Sequence, residues 1–162
     1  MADKIELTES ERNEAKAAFG TLCKTLDAMG WHYKTDETEM EVNLSVTGDD
    51  LSMPLRIFVD PKRQRIVLYS PMDFKMPEDR RTDGAVVVCM ANYELADGCF
   101  DYNIDNGSIL FRTTNSYRES LIGEGLVNRM INMATHVVDE YNDRFLMVSK
   151  GMMTVDQFKA AL

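Results

Sequence analysis

The sequence predicts an α+β fold in which helices cover one face of a five-stranded antiparallel sheet. Apolar residues recur every three or four positions near both ends of the chain and at every second position between them. The Asn106-Gly107 pair adds a strong signal for a tight hairpin. The predicted order of elements is α-β-β-β-α-β-β-α-α, with the helices packed on one side of the sheet.

The composition is that of one globular domain. The chain has 162 residues, of which 44% are hydrophobic, and a formal net charge of -9. We expect a single domain over residues 1–162, because folding at this length buries roughly 70% of the chain's surface. The excess of acidic residues opposes broad contact with phosphate backbones, so nucleic acid is not an expected partner.

No window approaches the roughly 20 apolar residues of a membrane span. The first six residues, Met-Ala-Asp-Lys-Ile-Glu, do not resemble a signal peptide. We therefore expect a cytoplasmic protein without a membrane partner. The cysteines Cys23, Cys89 and Cys99 show no C-x-x-C or Cys/His pattern, so reduced thiols that pack as small hydrophobes are expected.

The first helix is predicted from Glu9 to Met29. Thr8-Glu9-Ser10-Glu11 has the form of a capping box, in which the Thr8 hydroxyl and the Glu11 carboxylate each accept from a free backbone N–H. The apolar residues that follow share one helix face, and Gly30 is a C-terminal cap.

Three strands are predicted next. Apolar and polar residues alternate from Met40 to Val46, Gly48-Asp49-Asp50 forms a turn, and Leu55 to Val59 alternates again. The third strand runs from Arg65 to Ser70. Two prolines and mixed charges predict an irregular connection from Pro71 to Gly84.

The segment from Ala85 to Ala96 is predicted to be the middle helix. Its three consecutive valines favour a strand, but its length and the flanking Asp83 and Gly98 favour a capped helix.

The hairpin turn at Asn106-Gly107 predicts a strand register, because a type I′ turn needs positive φ at both residues. In this register Ile104 faces Ile109, Tyr102 faces Phe111, Phe100 faces Thr113 and Asp101 faces Arg112. Helical spacing then returns from Gly125 through Tyr141. Thr154-Val155-Asp156-Gln157 is a second capping-box pattern, which opens a short helix through Leu162.

Catalytic chemistry has little support in the sequence. His136 and Asp139 are three residues apart, and His136 and Glu140 four, a spacing that could share a metal. The chain has only two histidines, so a second nitrogen ligand would have to be His32. A helix-edge histidine beside solvated acids explains the same pattern. We expect no catalytic residue, metal or cofactor, and the alternative is a small-molecule or metal-dependent enzyme centred on His136, Asp139 and Glu140.

The sheet face away from the helices is the candidate partner-binding surface. In the run Ile66-Val67-Leu68-Tyr69, the residues that point to either face of the sheet are apolar, whereas helices on one side cover only one face. This predicts an apolar patch larger than a monomer usually exposes, although isolated strand-favouring aromatics and core methionines would give the same sequence. The candidate residues are Phe58, Tyr69 and Leu110 on this face and Phe74 and Met76 in the neighbouring loop, with Arg56 and Arg65 placed to orient acidic residues of a partner.

The middle helix is the candidate homodimer interface. Apolar residues surround most of its circumference, so its own sheet would cover only part of them, and a two-fold contact would bury the rest. The candidate residues are Val86, Val87, Met90 and Tyr93.

A resemblance to a known family covers Thr8 to Leu162. At Asn92, Gly98, Phe100, the Asp-Asn-Gly hairpin and Ile109-Leu110-Phe111-Arg112, the chain resembles the YbjN-like family, described as bacterial sensory transduction regulators. Its ending, with Asp143-Arg144-Phe145, Gly151 and Thr154, is similar to that family's ending.

The YbjN-like family shares its fold with class I type III secretion chaperones, small acidic dimers that hold an extended segment of a partner protein. The resemblance therefore implies a non-enzymatic, dimeric, cytoplasmic module. The predicted function is a regulatory or chaperone-like module that holds a segment of an unidentified protein partner on the exposed sheet face.

Overall fold

The computed structural model describes residues 7–47 and 52–162, and its α+β architecture has a six-stranded antiparallel sheet where the sequence predicted five strands. The strand order across the sheet is β1-β2-β3-β4-β6-β5. The strands are β1 (Lys34–Asp36), β2 (Glu41–Thr47), β3 (Ser52–Asp60), β4 (Arg65–Lys75), β5 (Cys99–Asn103) and β6 (Ser108–Ser116). The helices are α1 (Glu9–Ala28), α2 (Arg81–Glu94), α3 (Glu124–Ser149) and α4 (Val155–Ala160).

The strand missing from the prediction is β1. It has three residues, all exposed, and pairs with Glu41–Asn43 of β2. So short and exposed a strand carries no apolar alternation, which is the signal that identified the others. The predicted turn at Gly48-Asp49-Asp50 lies outside the described residues.

Both predicted capping boxes are confirmed. At the start of α1 the Thr8 hydroxyl accepts from the Glu11 N–H at 3.2 Å, and the Glu11 carboxylate accepts from the Thr8 N–H at 2.7 Å. The same reciprocal pair joins Thr154 and Gln157 at the start of α4. These bonds satisfy N–H groups that have no partner within the helix.

The segment predicted as an irregular connection is largely regular. β4 continues through Pro71 to Lys75, and a 3-10 turn at Glu78–Arg80 leads into α2, which is helical as predicted but begins at Arg81. β4 pairs with β3 only as far as Tyr69. Pro71 therefore lies where β4 has one neighbouring strand, and its missing N–H breaks no bond to β3.

The predicted hairpin register was wrong by two residues. Phe100 faces Phe111, Tyr102 faces Ile109 and Asp101 faces Leu110. The loop holds four residues, because Gly107 has a φ of 73° while Asn106 stays outside the left-handed region that a type I′ turn requires. A shift of two leaves every side chain on its predicted face.

One core lies between the sheet and the helices. Its sheet side includes Leu55, Ile57, Leu68 and Phe111, all at most 1% exposed, and α3 contributes Phe145. Among residues 7–47 and 52–162, no helix combines the length and apolar character needed to cross a membrane.

α2 is fastened to the edge strand β5 through one side chain. The Asn92 amide donates to the Phe100 carbonyl at 2.9 Å and accepts from the Phe100 N–H at 2.7 Å. Both bonds lie on the outer side of β5, where a further strand would otherwise pair.

Candidate functional site on the open face of the sheet

The sheet face opposite the helices, which we call the open face, holds five of the seven predicted partner-binding residues. Strand pairing aligns one row of residues across all six strands, in the order Lys34, Asn43, Arg56, Tyr69, Arg112 and Cys99. Alternation along the strands places Phe58, Arg65 and Leu110 on the same face.

The centre of the open face is aromatic. The rings of Phe58 and Tyr69 are 5.4 Å apart between centroids, and the Arg56 guanidinium lies 5.1 Å from the centroid of the Phe58 ring. Val67, opposite Phe58 in the register, is 0% exposed but lies outside the core beneath the helices. Its position shows that side chains of the open face form a small packed cluster of their own.

Ion pairs flank this aromatic cluster. Arg56 donates to Glu41 at 2.7 Å, and Arg112 donates to Asp101 at 2.7 Å. The hydrogen bond from Arg56 lowers the pKa of Glu41, and the hydrogen bond to Asp101 raises the pKa of Arg112. Charge-assisted bonds of this length favour the ionised form of both partners.

The two predicted arginines are therefore already paired within the chain. The Arg65 Nε lies 3.3 Å from a carboxylate oxygen of Asp60, and Arg56 forms its salt bridge with Glu41. An acidic residue of a partner would share these guanidinium groups with Glu41 and Asp60 or compete with them. The predicted apolar patch is instead a mixed surface, with half-buried aromatics at its centre and paired charges around them.

Two of the predicted partner-binding residues are not on the open face. Met76 is 1% exposed, and its N–H donates to the Gly107 carbonyl at 2.8 Å. Phe74 is half-buried and packs against the main core. The prediction was wrong for Met76, which is buried, and it treated the end of β4 as a loop, whereas the alternation of that strand turns Phe74 toward the helices.

A shallow groove of about 630 Å³ crosses the open face near β1. Its wall includes Arg56 and residues that the sequence analysis did not select, namely His32, Lys34, Asn43, Pro54 and Pro71. Recognising β1 would have identified Lys34 and Asn43, because that strand brings them side by side. The groove extends the site from the aromatic cluster toward the sheet edge.

The predicted dimer residues divide between two sides of α2. Tyr93 is 88% exposed and Val86 38% exposed, and Met90 is half-buried. Val87 is 0% exposed, so its prediction as an interface residue was wrong: it faces the core. Cys89, which the prediction omitted, is exposed between Val86 and Tyr93.

The residues of the alternative enzymatic hypothesis lie on α3. His136 and Glu140 are exposed, and Glu140 approaches Arg144 at 3.9 Å. Within the described parts of the chain, no three His, Cys, Asp or Glu side chains form a group that could hold a metal ion.

No family model and no curated protein match the sequence. Solved structures match the fold. The chain is similar to E. coli YbjN, with a TM-score of 0.56 and 12% identity, covering 78% of this chain and 92% of that one.

Two further structures come from complexes of two proteins. A chain of the HopA1–SchA chaperone–effector complex matches with a TM-score of 0.52 and 12% identity, covering 79% of this chain and 96% of the other. A chain of the ExsC–ExsE complex matches with a TM-score of 0.52 and 13% identity, covering 80% and 93%. At such identities the likeness concerns the fold alone, and this chain has the fold shared by YbjN and the matching chains of these two complexes.

Proposed function

We propose that this protein is a non-enzymatic, cytoplasmic module that holds a segment of a partner protein on the open face and acts as a homodimer through α2. The observation that carries the proposal is the Phe58–Tyr69 pair on a sheet face without helices. Two of the structures with this fold come from complexes, one of them named as chaperone and effector, and this supports a partner-binding role.

The chemistry of the open face favours a segment with both apolar and acidic side chains. Apolar residues of the segment would gain roughly 25 cal/mol per Å² where they cover the aromatic cluster, before the costs of association. Acidic residues of the segment would compete with Glu41 and Asp101 for Arg56 and Arg112. This competition limits the net gain, so we expect moderate affinity and tolerance of partner sequence.

The homodimer proposal depends on the outer stripe of α2. Val86, Cys89 and Tyr93 are three and four residues apart and are all exposed. Spacing of this kind aligns side chains along one helix face. An isologous contact between two copies of this helix would bury the stripe on both subunits.

Photo-cross-linking tests the two surfaces separately. A benzoylphenylalanine replaces either Tyr69 on the open face or Tyr93 on α2, in protein expressed in its native cell. We expect the Tyr69 position to cross-link a different protein and the Tyr93 position to cross-link a second copy of this chain. Exposed His136 on α3 supplies the control position, where neither product should form.

The outcomes separate the two parts of the proposal. Cross-linking of other proteins at His136 as strongly as at Tyr69 would contradict a binding role for the open face. Failure of Tyr93 to cross-link a second copy, together with a monomer mass near 18.5 kDa by light scattering at micromolar concentration, would contradict the dimer.

The three free cysteines give an independent test of the dimer. Burial raises the pKa of Cys23 and of Cys99, and both are half-buried, whereas Cys89 is exposed on the α2 stripe. Mild oxidation should therefore produce a covalent dimer that Cys89→Ser abolishes and that Cys23→Ser leaves unchanged. A covalent dimer that persists in Cys89→Ser would place the contact elsewhere.

A further inference from the structure

The groove on the open face runs across the strands and not along them. Its wall passes from Lys34 on β1 through Asn43 on β2 and Arg56 on β3 to Pro71 on β4. Neighbouring strands lie about 4.8 Å apart, so a groove over four strands is about 14 Å long. Its volume of about 630 Å³ then gives a mean cross-section of about 45 Å². An α-helix with its side chains is about 10–12 Å wide and needs about twice that area, so the groove suits an extended chain.

Basic side chains line this groove. His32, Lys34 and Arg56 are in its wall and are all exposed, and among residues 7–47 and 52–162 no carboxylate lines it. Within the same residues Lys34 forms no salt bridge. The chain as a whole has a formal net charge of -9, so the groove is basic within an acidic molecule. This difference in charge favours an acidic occupant.

The cations of the open face recur at every second strand. In the row that strand pairing aligns, Lys34 is on β1, Arg56 on β3 and Arg112 on β6. Asn43 of β2 and Tyr69 of β4 lie between them. Because two strand spacings separate successive cations, their Cα atoms are about 9.6 Å apart along the row.

This spacing matches one kind of extended chain. A polyproline II helix has three residues per turn and rises about 3.1 Å per residue, so every third side chain returns to the same face after about 9.3 Å. In a β-strand, side chains on one face recur after about 6.8 Å, which does not match the row. An acidic residue at every third position of a polyproline II segment would therefore meet each cation in turn.

Contacts within the chain hold the two arginines in place. Arg56 donates to Glu41 at 2.7 Å, and its guanidinium lies 5.1 Å from the centroid of the Phe58 ring. Arg112 donates to both carboxylate oxygens of Asp101, at 2.7 Å and 3.0 Å. These bonds use Nε and Nη2, and no acceptor for either Nη1 lies among the described residues. A partner carboxylate can therefore bind at Nη1 and share the guanidinium with the internal carboxylate.

We infer that the partner segment crosses the strands of the open face in polyproline II conformation, with an acidic side chain at every third residue facing Lys34, Arg56 and Arg112. This inference rests on the proposed partner-binding function of the open face and adds the path of the segment and the spacing of its charges. The residues between the acidic positions pass over the row at Tyr69, where apolar side chains can cover the ring.

Three synthetic peptides test the spacing. The first has three Glu-Pro-Pro repeats, the second has the same residues with its glutamates consecutive, and the third has three Lys-Pro-Pro repeats. Their prolines favour polyproline II in all three. In fluorescence anisotropy at low ionic strength, we expect the first peptide to bind roughly fivefold more tightly than the second, and the third to show no saturable binding. Equal affinity for the two acidic peptides, or no saturable binding of the first, would overturn the inference.

A pair of lysine variants locates one end of the segment. Lys34→Gln should keep the native melting temperature, because the side chain is exposed, and should bind the Glu-Pro-Pro peptide roughly threefold more weakly because one ion pair is lost. Lys24→Gln removes the same charge from an exposed position of α1, on the helix side of the sheet, and should bind as the native protein does. Equal affinities in the two variants would overturn the contact at Lys34 and with it the proposed path.

The outcomes separate this inference from the function on which it rests. If position 69 cross-links another protein in the cell while the two acidic peptides bind equally well, the open face holds a partner and the path proposed for the segment is wrong. If the peptides and variants behave as expected while position 69 gives no cross-link above the control at position 136, the groove has the proposed preference and the cellular partner-binding function is wrong.

Discussion

The two faces of the sheet bury the same strand in different ways. On the helix side, Ile66 and Leu68 of β4 are 0% exposed within the main core. On the open face Val67 is equally buried, yet its neighbours are side chains of the sheet itself, including Phe58. A strand with apolar residues on both faces therefore does not establish an exposed apolar patch, because aromatic and long polar side chains can cover one face.

The largest expected difference between the faces is at adjacent positions of β4. Leu68→Ala should destabilise the protein by about 2–5 kcal/mol, because it leaves a cavity under the helices. Tyr69→Ala on the open face should cost about 1 kcal/mol, because that side chain is only half-buried. Urea unfolding of both variants measures the difference. Equal losses would show that the open face is as tightly packed as the core.

A smaller effect tests whether Val67 is desolvated. Val67→Thr keeps the branched shape but buries a hydroxyl, and we expect it to lower the free energy of unfolding by about 1–2 kcal/mol. Ile104→Thr, in the exposed hairpin loop, is the control and should change it by less than about 0.5 kcal/mol. If the two substitutions have the same small effect, water reaches Val67 and the open face has no packed cluster.

The smallest expected effect concerns the ion pairs of the open face. Arg56 lowers the pKa of Glu41, so the folded state binds a proton less readily than the unfolded state. The stabilisation is complete above the unfolded pKa near 4.5 and is lost as pH falls through the folded value.

Glu41→Gln should therefore reduce the loss of stability in acid, by less than about 1 kcal/mol because Arg56 is half exposed. Urea unfolding from pH 3 to pH 7, in steps of about one pH unit, measures how the free energy of unfolding depends on pH. Glu39→Gln controls for the removal of one charge. If Glu41→Gln lost more stability in acid than the native protein, the pKa of Glu41 would be raised in the folded state and not lowered.

The helices were predictable where the signal is local. The capping boxes at Thr8 and Thr154 need only four consecutive residues, and both are present. The start of α2 was misplaced because no side chain caps it: Arg80 occupies the N-cap position without a side-chain bond. Asp83 instead lies inside the first turn, where its charge suits the helix dipole.

The site was predictable in part. Alternation placed Arg56, Phe58 and Tyr69 on one face, and strand pairing brings them together. The pairing of Arg56 with Glu41 joins different strands and depends on a register that composition does not reveal. The buried state of Met76 likewise depends on a bond to Gly107, 31 positions along the chain from it, which no local pattern indicates.

The Asn92 side chain has a consequence for how this sheet can grow. By donating to and accepting from Phe100, its amide takes the place of one residue of an additional strand beyond β5. Exposed sheet edges otherwise template pairing between chains, which leads to aggregation. One pairing position at the β5 end of the sheet is thus already occupied by an amide side chain, whereas at the opposite end β1 covers only three residues of β2.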